Sequence, residues 1–257
     1  MDILYMIRHF VCSRHRFGHG VHSPNMYNFF RETLFNTSKF DYSSAENIQA
    51  LCLKNQKVIN VTPAGASLQK NDTMRRICDI AASSSSYGKY GRLLQRISAY
   101  LKPNQILELG TSLGIGTIYL ASGSPKSKIV TIEACKATCN EARQNFDNIG
   151  ISSSIKSINA NFDEVLPELI SNEKFELIYI DGNHTYEATL RYYNMIAQSA
   201  ASSTVAIFDD INWSRGMSAA WSKICKMPTT IAAIETMRMG IVFFDKNLTQ
   251  KIYCTRF

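Results

Sequence analysis

From Gly91 to Asp210 the chain alternates between two kinds of segment, and this rhythm limits its fold more than any other feature. The segment "GRLLQRISAYL" has helical spacing and leads into the short apolar run "QILEL". A helix from Ile115 follows, then "KIVTIE", a helix around Ala137 to Phe146, and "SSIKSIN". The helix "FDEVLPELI", the strand "FELIYID", a helix across Tyr186 to Ala197 and the strand "STVAIFDD" complete the series. Strands that alternate with helices predict a mostly parallel sheet with helices on both faces, an α/β architecture. The tail is different. "TTIAAIE", "GIVFFD" and "KIYCTRF" are β-like, and the short "KNLTQ" link predicts an antiparallel C-terminal hairpin made by the last two.

Residues 1–88 lack this rhythm and read as a helical cap, a substrate or dimer region ahead of the sheet domain at 89–257. Ile3, Met6, Ile7, Phe10 and Val11 fall at helical spacing, while Arg8 and His9 break the apolar run far short of a membrane span. Ser23-Pro24 is a helix start. "ASSSSYGKYG" (82–91) reads as a flexible connection or a loop that closes over a ligand. "RHRFGHGVHSPNMY" carries His15, His19 and His22, but their spacing is not a standard zinc pattern and Cys12 is the one thiol nearby. The expected role of this segment is a cap over an acceptor pocket, with Phe17, Tyr27, Phe29 and Phe30 shaping that pocket or a homodimer contact. Seven cysteines without a CxxC pair predict reduced thiols in a cytoplasmic protein. A net charge of +7 permits an anionic partner, but no block of like charge demands nucleic acid.

"ILELGTSLGIGTIYL" places Glu108, Gly110, Thr111, Ser112, Gly114 and Gly116 where a strand turns into a helix. Glycines there let the backbone approach a ligand, and the N–H groups of a helix start can bind an acceptor. Glu133 closes the next strand, where an acid suits the two hydroxyls of a ribose. A dinucleotide fold wants GxGxxG; the order here is GxxxGxG, preceded by an acid.

On these residues, with "TIEA", "IDGNHTYE", "FDD" and the closing strands, residues 85–257 resemble the class I S-adenosylmethionine (SAM)-dependent methyltransferases. The resemblance is nearest to small-molecule O-methyltransferases of the catechol, macrolide-sugar and cephalosporin-pathway types. It implies SAM as cofactor, with its methionine part on the Gly110–Gly116 loop and its ribose on Glu133. It also implies an adenine flanked by Asn161 and Phe162, the latter equally readable as core.

In several such families an acid after the fourth strand and an acidic pair after the fifth hold Mg²⁺. Asp181 matches the first, and Asp209 with Asp210 match the pair, although some relatives place Asn where this chain has Asp210. The chemistry is coherent, because SAM carries an activated methyl and a hydroxyl acceptor needs its proton removed by a base or a metal. His184 is the second catalytic candidate beside Asp181, since imidazole titrates near neutral pH. Asp209-Asp210 can also be read as a capped turn before a helix near Trp213, but adjacent carboxylates repel unless something positive sits between them.

The expected function is methyl transfer to a small-molecule acceptor, at a hydroxyl oxygen, with or without Mg²⁺. Other readings are a SAM-fold binding or scaffold protein without turnover, an NAD-dependent oxidoreductase and an RNA methyltransferase. The last is disfavoured: there is no dense basic stripe and no acid or amide followed by Pro-Pro and an aromatic.

Overall fold

The computed structural model describes residues 9–36, 38, 40–62, 73–83 and 88–257. The sheet strands are β3 (Gln105–Leu109), β4 (Lys128–Glu133), β5 (Ile155–Asn159), β6 (Leu177–Ile180), β7 (Val205–Phe208), β8 (Ala232–Glu235), β9 (Gly240–Phe243) and β10 (Lys251–Cys254). They form one eight-stranded sheet in the order β10-β8-β9-β7-β6-β3-β4-β5. β3 to β7 are mutually parallel, as the alternation predicts.

Period-two alternation explains the two layers. Leu107, Leu109, Ile178, Ile180, Ala206 and Phe208 face one core, which is closed by α7 (Phe162–Asn172), α8 (Tyr186–Ser199) and α9 (Arg215–Ile224). Ile106, Ile129, Leu177, Tyr179 and Ile207 face the other, closed by α4 (Gly88–Leu101), α5 (Ile115–Gly123) and α6 (Lys136–Asn148). The helices change faces between β3 and β6, so the strand ends there open into the crevice where α/β sheets bind ligands.

An antiparallel hairpin is present, but between other strands than the sequence predicts. β9 lies between β7 and β8, antiparallel to both. Both edges of β9 are therefore hydrogen-bonded, and β10 joins the outer edge of β8 in parallel.

Ahead of the sheet domain, α1 (Pro24–Phe29) runs into a π-turn (Phe30–Leu34), and α2 (Ser43–Lys54) and α3 (Ile77–Ser83) follow. A small antiparallel pair, β1 (Val58–Asn60) with β2 (Met74–Arg76), was not expected from the helical patterning. Ser23 caps α1, accepting from the Met26 N–H at 3.5 Å. Phe29 and Phe30 are core: their rings pack on Phe243 at 5.0 Å and Tyr253 at 5.7 Å. That takes them away from the acceptor edge, whereas Phe17 and Tyr27 stay exposed. Ile3, Met6 and Ile7 lie outside the described residues, as do 84–87 of the expected flexible loop. Gly88 to Gly91 of that loop open α4.

Candidate active site

Three turns after β3, β6 and β7 meet at the crevice, and each contains a non-glycine residue in the left-handed region: Ser112 (φ 48°), Asn183 (φ 50°) and Asp210 (φ 51°). Strain of this kind persists only where surrounding structure enforces it, and it concentrates at functional sites.

The turn after β3 is built on Gly110. Its φ is +103°, and a β-carbon there would run into the carbonyl oxygen of Asp181. Only glycine lets the β3 and β6 turns approach this closely. Gly114, at φ +81° before α5, backs onto the ring of Phe146. Gly116 is buried inside α5.

Glu133 holds the loop from the next strand. It accepts the Ser112 N–H at 2.8 Å and the Cys135 N–H at 2.9 Å. Burial nonetheless pushes its carboxyl above the usual range, with those backbone donors opposing.

Glu108 has no exposed surface. One carboxylate oxygen accepts from the hydroxyls of Thr117 and Thr131, and Thr131 in turn contacts Thr111 at 2.5 Å. The other oxygen, Oε1, is buried without a hydrogen-bond partner. Burial raises the Glu108 carboxyl to about 8 against its two threonine donors, with the charges of Asp181 and Glu133 adding to the rise.

Asn161 caps α7 and is exposed, and its Nδ2 donates to Glu164 at 2.9 Å. Phe162 is half-buried, packed over Gly182 and edge-on to Tyr192 at 5.8 Å. It is thus both part of the α7–α8 packing and a wall of the crevice.

At the end of β6, His184 Nε2 lies 3.5 Å from Asp181 Oδ1 and 3.9 Å from Asp210 Oδ2. Burial alone would lower the histidine pKa, but the hydrogen bond and charge of Asp181, with Asp210 and Asp209, raise it overall. Ligand atoms of Asp181, His184 and Asp210 all fall within 4.8 Å of one another.

Asp209 is not in that group. Its side chain has no exposed surface and accepts from Arg238 Nε at 2.9 Å, the Tyr179 hydroxyl at 2.8 Å and the Asp210 N–H at 2.7 Å. Arg238 Nε is also 3.1 Å from Asp210 Oδ1. A guanidinium therefore supplies the positive charge that the adjacent acids require, and the three-carboxylate set expected for Mg²⁺ does not assemble. What remains combines two carboxylates with an imidazole beside a fixed cation, a poor match to a hard ion that prefers oxygen ligands. Burial and Asp181 push Asp209 up to about 7 against the pull of Arg238. Burial disfavours the guanidinium charge, but Asp209 and Asp210 more than offset this and raise Arg238. The capped-turn reading of the pair also gives way, because Ser214 caps α9, accepting from the Met217 N–H at 3.1 Å.

Arg238 and Tyr179 are the site residues the sequence reading missed. Arg238 sits in the β8–β9 turn, which is tied to the β7 turn by Ile211 N–H donating to the Arg238 carbonyl at 2.9 Å. Tyr90, at the start of α4, packs beneath the guanidinium at 5.5 Å.

These features define a fold: a Rossmann-like α/β sheet with a ligand crevice where the strand order reverses. Residues 107–211 match the family model described as a methyltransferase domain. Among curated proteins, the chain is 30% identical over 96 residues to a catechol O-methyltransferase of Niastella koreensis, covering 36% of this chain and 43% of that protein. It is 26% identical over 122 residues to a catechol O-methyltransferase of Mycobacterium tuberculosis, covering 47% and 54%. The chain thus spans about half the length of the curated relatives it matches. Among solved structures, the O-methyltransferase of Bacillus cereus in complex with S-adenosylhomocysteine aligns with a TM-score of 0.58 at 20% identity, over 81% of this chain and 94% of that one. A Podospora anserina methyltransferase bound to S-adenosylhomocysteine aligns at 0.57 and 16% identity, over 81% and 98%. No described helix is long and apolar enough to cross a membrane.

Proposed function

We propose that the chain transfers a methyl group from SAM to a hydroxyl oxygen of a small molecule, with His184 as the base. The observation that carries this reading is the meeting of the glycine turn with the Asp181–His184 pair across the β3–β6 switch point, where Gly110 abuts the Asp181 carbonyl.

The residues fit the cofactor. Glu108 Oε1 is a buried acceptor awaiting a donor, which the ammonium of a methionine moiety supplies in kind. The Glu133 carboxylate, at the mouth of the loop, suits a ribose diol. Asn161 and Phe162 flank the place for adenine. SAM supplies a methyl already activated on sulfur, so the protein has to orient the acceptor and take one proton.

Asp181 fixes the His184 ring and stabilises the imidazolium that forms when the hydroxyl proton reaches a ring nitrogen. Arg238 offsets one of the two negative charges of Asp209 and Asp210, and with His184 as the base the reading assigns the proton to a side chain and not to a divalent ion. The relatives named catechol O-methyltransferases favour an aromatic hydroxyl as acceptor. The free cysteines, four of them buried, fit a reducing, cytoplasmic setting. Exposed Phe10, Val11 and Phe17 keep a homodimer through the N-terminal region as the assembly to test by sedimentation.

Incubation with methyl-labelled SAM and a panel of catechols and phenols, read by mass spectrometry, tests the activity. Label on an acceptor oxygen supports it. SAM binding without transfer across a broad panel would favour a scaffold protein that kept the fold.

A further inference from the structure

We infer that the chain has a zinc site, separate from the crevice, made by His9, Glu235 and Cys254. These residues come from a helical turn at 9–12 and from the ends of β8 and β10, so only the fold brings them together. Cys254 Sγ lies 3.5 Å from His9 Nδ1, and His9 Nδ1 lies 3.7 Å from Glu235 Oε1. The third edge, Sγ to Oε1, is 4.0 Å. A tetrahedral zinc with Zn–S about 2.3 Å and Zn–N or Zn–O about 2.0–2.1 Å requires donor–donor edges of roughly 3.3–3.6 Å. The observed triangle is within a few tenths of an ångström of that.

The orientation separates this from a nucleophilic triad. In a thiol–imidazole–carboxylate triad the two partners take opposite ring nitrogens. Here both the thiol and the carboxylate face Nδ1, which converges three donors on one point. Trp221 Nε1–H donates to Glu235 Oε2 at 2.9 Å and leaves Oε1 turned toward the other two donors. Such outer bonds commonly orient metal ligands. The three groups border a cavity of about 300 Å³ that also contains Cys12, one helical turn beyond His9, and Asn212. A mixed sulfur, nitrogen and oxygen set selects zinc over magnesium or calcium.

Binding would release the thiol proton to solvent and clamp the segment around His9 onto the β8 and β10 ends. Glu235 lies three residues before Arg238, and Asn212 donates to the Met237 carbonyl at 3.0 Å, so the clamp would brace the turn that carries Arg238.

The test uses tag-free full chain, loaded with zinc, dialysed and measured by inductively coupled plasma mass spectrometry. One zinc per chain is expected in wild type and a loss of it in Cys254→Ser and His9→Ala. Zinc at about a hundredfold above its Kd should raise Tm by roughly 5–10 °C in wild type and leave it unchanged in Cys254→Ser and His9→Ala. Cobalt substitution adds a readout independent of stability: a thiolate-to-cobalt band in wild type and in Glu235→Gln, absent in Cys254→Ser. Substoichiometric zinc with no rise in Tm, or retention of the cobalt thiolate band in Cys254→Ser, would overturn the site.

Discussion

Replacing Arg238 by alanine removes the cation between Asp209 and Asp210 and leaves Asp209, which has no exposed surface, without its countercharge. Breaking a buried pair by deleting one partner costs about 3–5 kcal/mol. The lower end applies here, because the Arg238 side chain is 24% exposed and Asp209 keeps the Tyr179 hydroxyl and the Asp210 N–H. About 3 kcal/mol corresponds to a Tm lower by roughly 6–12 °C in a chain of this size.

The pH dependence identifies the cause. Asp209 in the native fold is already held up to about 7, and loss of Arg238 raises it further. A carboxyl whose folded pKa lies above its unfolded value costs stability as pH rises through the interval between them. The deficit of Arg238→Ala relative to wild type should therefore be modest near pH 6 and grow toward about pH 9. Differential scanning fluorimetry across that range, with Arg238→Ala/Asp209→Asn alongside, is the assay. The double variant should lose the pH-dependent part. A deficit that is flat with pH, or greatest in acid, would refute the assignment of Arg238 as the countercharge.

Other expectations concern the crevice itself. His184→Ala should lower kcat by about 10²–10⁴-fold, the range for loss of a general base, with little change in S-adenosylhomocysteine affinity by calorimetry. In wild type the rate should climb with pH through a pKa above the usual histidine value of about 6.5, because Asp181, Asp210 and Asp209 hold the imidazole protonated against burial. That limb should be absent from the profile of His184→Ala. Gly110→Ala forces a β-carbon into the Asp181 carbonyl at a positive φ, so cofactor binding should fall at least tenfold by titration. Withholding Mg²⁺ from zinc-loaded protein should leave methyl transfer within about twofold, since Arg238 already sits between Asp209 and Asp210; a large loss restored by Mg²⁺ would contradict the reading of the acids.

The parallel core was legible because its signals are local. Every strand from "QILEL" to "STVAIFDD" except the half-exposed "SSIKSIN" is a short apolar run, and the turns that matter are marked by glycine or acid immediately after it. Asp181, His184, Gly110 and Glu133 emerge at one sheet edge for that reason. The misread features depend on contacts between distant segments. β9 inserts between β7 and β8, and no adjacent residues in "GIVFF" or "KIYC" announce that. Arg238 follows Asp209 by a helix and a strand, and "MRMG" looks like an ordinary turn. One clue was available: two adjacent carboxylates at a buried edge require a cation, and Arg238 is a basic residue in the turn between the next two strands. The burial of Glu108 behind Thr117 and Thr131 had no such sign, because its partners lie on α5 and β4.

Isothermal titration with S-adenosylhomocysteine, with NAD titrated in parallel, is the direct test of whether the glycine turn and Glu133 form a SAM site. A SAM site there gives saturable one-to-one binding of S-adenosylhomocysteine, none of NAD, and binding at least tenfold weaker in Gly110→Ala. Binding of NAD in place of S-adenosylhomocysteine would contradict it and make the same crevice a dinucleotide site.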